Sequence, residues 1–184
     1  MVDEGNVDIG ITGKDQVLEY EAEKASELRQ HALSEEEKVQ EVLDLGFGGC
    51  KLQVQVPESS TNVTSANDLV GKKIATSFKA LTEQYFRRLE SHAPQQPEAN
   101  PSSTTPATKV RLLNGSVETA CKISGVDGIV DLVESGETMR AAGLKAIDTV
   151  VSSTAVLIRS KHPRNQKVVD MISSRIEGVI GKPF

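Results

Sequence analysis

An α/β fold with mostly parallel strands is predicted by three features of this 184-residue sequence. Short β-branched runs alternate with amphipathic segments, aromatic residues are scarce, and apolar and charged residues are balanced as in a globular protein. With no Trp, two Tyr and four Phe, the core must be aliphatic, which suits Val/Ile-rich strands covered by helices.

The elements follow in order. "VDIGIT" alternates small and β-branched residues up to Gly13, the pattern of a short strand ending in a turn, with a helix after it. From Glu19 to Gln40 the chain is rich in Glu and reads as an exposed charged helix face or a solvated insertion. Val39, Val42 and Leu43 then fall at helical spacing behind an S-x-x-E capping box at Ser34 and Glu37, which predicts a second helix there. "CKLQVQVPE" is a strand with Leu52, Val54 and Val56 on one face, Gln53 and Gln55 on the other, and Pro57 at its end. "SANDLVGKKIATSF" reads as a helical turn and a strand, and "LTEQYFRRLE" as a helix using Leu81, Tyr85, Phe86 and Leu89.

Residues 91–108 carry four prolines and many Ser/Thr, too little apolar surface to order themselves, and are expected to form a disordered insertion. "KVRLLNG" is the next strand, and "SVETACKIS" a helix capped by Ser116 with Glu118 in its first turn. Ile129 and Val130 begin a strand that Asp131 and the polar turn "ESGET" bring to a close. "TMRAAGLKAI" reads as a helix, "TAVLIRS" as a strand, and "NQKVVDMISSRIEGVI" as a closing helix with Val168, Val169, Ile172 and Ile176 on one stripe.

Composition also narrows function. A net charge of -5 and the lack of a long basic run leave no footprint for nucleic acid. Two cysteines far apart in sequence are neither a zinc motif nor a disulfide framework. The acidic opening "MVDEGNVDIG" is unlike a secretory or matrix-targeting leader, and no apolar run reaches membrane-spanning length. The expectation is a cytoplasmic protein with neither a nucleic-acid nor a membrane partner.

Ligands of open α/β sheets sit at the carboxyl ends of strands, where "ESGET" falls. Gly136 lets the backbone approach an anion, Ser135 and Thr138 add hydroxyls, and successive amides from Ser135 to Met139 can form a nest for a phosphate. Asp131 would stand beside whatever carries that phosphate. On spacing alone a plain turn with Thr138 as helix cap is the commoner outcome, and Glu134 and Glu137 oppose an anion unless a cation such as Arg140 offsets them.

"DGIVDLVESGETMRAAGL" closely resembles the phosphoribosyl-pyrophosphate loop of the ATP phosphoribosyltransferase family, which opens histidine biosynthesis. "VDIGITGKD", "LDLGFGGCKLQVQVP", "GKKIATSF", "LNGSVE" and "SRIEGV" are similar to the family's other blocks, in order, in wording most like its fungal branch. The resemblance implies a two-lobed, type II periplasmic-binding-protein-like catalytic core. Residues 1–58 plus 154–184 would form a partial first lobe and 59–153 the second, with "KLQVQVP" and "TAVLIRS" as crossings. It implies transfer of phosphoribosyl from phosphoribosyl pyrophosphate to N1 of the ATP adenine, with magnesium, and a homo-oligomer for full-length members.

Carried over residue by residue, Glu134, Ser135, Gly136, Glu137, Thr138 and Met139 would hold the 5'-phosphate. Asp131 would face the ribose hydroxyls or the magnesium, and Asp8, Thr12 and Gly13 would lie nearer the nucleotide, although a strand end needing glycine explains that last block equally well. The family has glycines at the positions of Ser124 and Val126, whereas this chain has Gly125. Its Lys-Gly-Arg segment would precede Met1 and its histidine-binding domain would follow Phe184, so the resemblance implies little activity for these 184 residues alone. The competing class is a non-catalytic two-lobed module that binds a small anion.

Overall fold

The computed structural model describes residues 2–28, 33–34, 36, 38–92, 107–123 and 125–180. Most of the expected Pro/Ser insertion and Glu37 of the expected capping box lie outside these. The fold is α/β, with a three-stranded and a five-stranded sheet. The chain divides into two compact units, Met1–Cys50 with Ser152–Phe184, and Lys51–Val151.

The first unit contains β1 (Ile9–Gly13), α1 (Lys14–Glu27), β2 (Gln40–Asp44), β8 (Ala155–Arg159) and α5 (Gln166–Ile180). β8 lies between β1 and β2 and is antiparallel to both. As the central strand it is covered on both faces: Val156 and Leu157 are inaccessible, and Val17 of α1 packs with Val156 and Ile158.

The helix expected over Val39, Val42 and Leu43 is instead β2. Its ladder to β8 shifts register between Glu41 and Leu43. A bulge inserts one residue into a strand, which turns a period of two into a spacing that imitates a helix. The acidic face of α1 is also less solvated than its composition suggests, since Asp15 and Glu19 are buried with Val17 and Ala25.

The second unit holds most of β3 (Cys50–Pro57), β4 (Lys73–Thr76), α2 (Lys79–His92), β5 (Lys109–Leu112), α3 (Ala120–Ile123), β6 (Gly128–Val133), α4 (Glu137–Ala141) and most of β7 (Leu144–Ser153). Single 3-10 turns occupy Ala66–Leu69 and Val117–Thr119. The sheet order is β5-β4-β6-β3-β7.

Among the ladders of the described residues whose register is defined, β4–β5 and β4–β6 are parallel, whereas β3–β6 and both ladders of the first unit are antiparallel. The expectation of mostly parallel strands therefore gives way to a mixed arrangement. Strand direction follows crossover helices only where one intervenes, as α2 does before β5. β7 and β8 are separated by Thr154 alone.

Leu52, Val54 and Val56 of β3 are fully buried, and Gln55 on its other face is buried too, its Nε2 donating to the Asp131 carbonyl at 3.3 Å. α2 buries Leu81, Thr82, Tyr85 and Phe86, and the Tyr85 hydroxyl donates to Asp148 of β7. The helix expected to run through "TMRAAGLKAI" stops at Ala141. Gly143, at φ +72, donates its N–H to the Arg140 carbonyl, a left-handed terminus that releases Leu144 into a ten-residue strand.

Candidate functional site

The parallel strands β5, β4 and β6 end on one side of their sheet. Thr76 is opposite Leu112 and Val130, and the Leu113 N–H donates to the Thr76 carbonyl at 2.8 Å. "TSF", "LNGS" and "DLVESGET" therefore leave the same edge, where parallel sheets bind ligands. Thr76 Oγ1 accepts the Phe78 N–H at 2.9 Å and Thr82 Oγ1 donates to the Phe78 carbonyl at 2.6 Å. This turn is closed on itself, leaving Ser77 exposed.

Ser116 does not cap with its side chain as expected. It adopts φ 49, so its carbonyl takes part in the turn instead, accepting Thr119 Oγ1 at 2.9 Å. Val117 and Ala120 are buried with Ile129 of β6 and Leu144 of β7, and this anchors the turn that carries Glu118.

Asp131 is a half-buried carboxylate near the end of β6. Burial pushes its pKa up and the charge of Glu118 pushes the same way, opposed by the Leu132 N–H that donates to Asp131 Oδ1 at 2.9 Å. After β6 the chain turns at Gly136, φ +75, which is the N-cap of α4. Thr138 is accordingly a helical residue and not a cap.

Glu134, Ser135, Glu137 and Thr138 are exposed, Gly136 is buried, and Met139 leans into the cluster of Ile129 and Leu144. The first-turn amides of a helix have no partner within it. At the Glu137 N–H only Ser135 Oγ stands nearby, at 3.4 Å. The loop thus carries exposed residues and first-turn amides a few residues after a carboxylate whose charge is poorly solvated.

The first-unit candidates are not gathered at one point. Asp8 precedes β1, and its Oδ1 accepts the Arg164 N–H at 3.2 Å. Thr12 and Gly13 close the strand opposite Val156 and Ala155. At about 3.3 Å per residue, Asp8 and Thr12 are roughly 13 Å apart. A Cβ on Gly13 would collide with Asp15 Oδ1, so glycine is needed there for the aspartate to fold back.

Asp15 itself was not singled out by sequence. It is buried, its N–H donates to Ser153 Oγ at 2.9 Å, and that hydroxyl donates in turn to its carboxylate. Nothing local marks it, because its partner lies at the other end of the chain. Sequence marks Glu118 only as a helix-end charge; its influence on Asp131 emerges once β5 and β6 flank β4. Among the described residues no cluster of three or more His, Cys, Asp or Glu could hold a metal unaided.

Residues 1–178 match the sequence profile of the HisG ATP phosphoribosyltransferase family. The chain belongs to the ATP phosphoribosyltransferase family. It is 47% identical over 179 residues to the ATP phosphoribosyltransferase of Yarrowia lipolytica, covering 97% of this chain and 52% of that protein. It is 44% identical over 178 residues to the Schizosaccharomyces pombe relative, covering 96% and 53%. The chain thus spans about half the length of the curated ATP phosphoribosyltransferases it matches.

Among solved structures, the ATP phosphoribosyl transferase (HisG:HisZ) complex from Thermotoga maritima aligns with a TM-score of 0.67 at 21% identity, covering 98% of this chain and 73% of that one. An ancestral arginine-binding protein bound to glutamine aligns at 0.56 and 16%, covering 98% and 68%. These likenesses establish the fold that this ATP phosphoribosyltransferase-family chain shares with periplasmic-type binding proteins.

Proposed function

We propose that this chain carries the catalytic core of an ATP phosphoribosyltransferase, with 1–58 plus 154–184 and 59–153 as its two lobes. The observation that carries the reading is the left-handed turn at Gly136, flanked by the exposed Ser135, Glu137 and Thr138 and following Asp131 where three parallel strands end. Glu134 to Met139 hold the 5'-phosphate of phosphoribosyl pyrophosphate, chiefly through main-chain amides. Asp131 accepts hydrogen bonds from the ribose hydroxyls, and Thr12 and Gly13 contribute on the nucleotide side, with Asp8 supporting that strand from its far end.

In the reaction, the lone pair of adenine N1 forms a bond to the ribose anomeric carbon as the bond to pyrophosphate breaks. N1 needs no base to expose its lone pair, so orientation and stabilisation of the departing charge dominate. Magnesium suits Asp131, because that ion prefers one or two carboxylates with phosphate oxygens completing its shell, and Asp131 and Glu118 already bring uncompensated negative charge together. Bound there, it would neutralise the leaving pyrophosphate. The whole protein would act as a cytoplasmic homo-oligomer on ATP and phosphoribosyl pyrophosphate.

Calorimetric titration with phosphoribosyl pyrophosphate tests the reading. Gly136→Val should abolish binding, since a side chain there meets a left-handed backbone and the Arg140 guanidinium. Unchanged affinity discards it. A response to a lone amino acid, with none to phosphoribosyl pyrophosphate, would favour a binding module of the kind the arginine-binding neighbours represent.

A further inference from the structure

Arg140 lies one helical turn beyond Gly136, and its side chain folds back over the loop. Nη2 donates to the Ser135 carbonyl at 3.2 Å, and Nη1 occupies the space that a side chain on Gly136 would claim, 2.8 Å from an ideal Cβ. A guanidinium has five donors in one plane, and this one spends a single bond on a neutral carbonyl. Among the described residues it forms no ion pair with Glu134, Glu137 or any other carboxylate. Its charge therefore remains available at Ser135 and Gly136, in a loop whose two glutamates would otherwise repel an anion.

We infer that Arg140 is a further substrate-binding residue, whose guanidinium leaves the Ser135 carbonyl to grip two oxygens of the ligand's phosphate. The inference rests on the phosphate reading of the loop. Planar, bidentate pairing is the particular strength of arginine toward phosphate and adds geometry as well as charge. It also accounts for how a loop carrying Glu134 and Glu137 accepts a dianion: the cation travels with the loop itself, on the same short helix.

Ribose 5-phosphate, titrated calorimetrically into the 184-residue chain, separates this from the reading beneath it. Arg140→Gln should weaken binding about 10- to 100-fold, and Arg140→Lys, which keeps the charge but not the fork, should fall between. Arg140 is exposed, so both variants should melt as the unsubstituted protein does. If Arg140→Gln binds equally well or more tightly while Gly136→Val does not bind, Arg140 only covers the loop and the inference is overturned alone. If the unsubstituted chain ignores ribose 5-phosphate, or Gly136→Val binds normally, the loop reading falls and takes the inference with it.

Discussion

Asp131 carries opposing demands. Burial and the charge of Glu118 hold its carboxyl above its ordinary value of 3.8, so the folded protein binds that proton more tightly than the unfolded chain. Stability from this group accordingly falls as pH rises from the ordinary value through the folded one, and at pH 7 the charged form is a burden on the fold. Asp131→Asn should therefore leave Tm unchanged or raise it by about 2–4 °C at pH 7, while weakening phosphoribosyl-pyrophosphate binding at least about 100-fold. Differential scanning calorimetry beside titration reads both; a lower Tm with intact binding contradicts the assignment. Residues of this kind are hard to recognise in sequence. Gly136 and its polar neighbours are contiguous and legible, whereas Glu118 and Asp15 acquire their meaning from partners that only the fold brings near.

Among the elements, regularity decided legibility. The strict alternation of Leu52, Val54 and Val56 left no competing reading of β3, and all three are inaccessible. β2 is obscured because its bulge breaks the period, and β7 because "LKAI" continues a helix-like stretch that the left-handed Gly143 interrupts. Gly143→Ala finds open space for its methyl but an unfavourable backbone, and should cost about 1–2 kcal/mol by chemical denaturation. α2 is tied to β7 through the Tyr85 hydroxyl and Asp148. Burial first, and then that hydrogen bond, raise the Tyr85 pKa above its ordinary 10.0. The stabilisation is complete below pH 10 and is lost as pH climbs beyond it toward the folded value. Tyr85→Phe should cost about 1 kcal/mol near neutrality and should flatten the alkaline decline; an unaltered alkaline limb in the melting profile would exclude this coupling.

For the whole molecule, the two units have separate sheets, and each contains an apolar cluster of its own, which permits them to open separately. Leu157→Ala, in the central strand of the first unit, removes a side chain that is 1% exposed and should cost about 2–5 kcal/mol. Hydrogen exchange should then accelerate in β1 and β2 and stay slow in β4 and β6; equal acceleration in both would mean one cooperative block. The α/β class is legible from the alternation of runs, while strand direction is not, since β8 reaches β1 and β2 only after the whole of residues 51–151 and no local connection sets its sense.

That order, β1-β8-β2, has a temporal side. Neither outer strand pairs with the other, so as the polypeptide emerges from the ribosome this sheet cannot be completed until Ala155–Arg159 has been synthesised. Residues 51–151 form an uninterrupted stretch and are complete before then. The middle stretch can thus acquire its structure on the ribosome before the three-stranded sheet closes, and a sheet completed that late is one that chaperones have reason to guard.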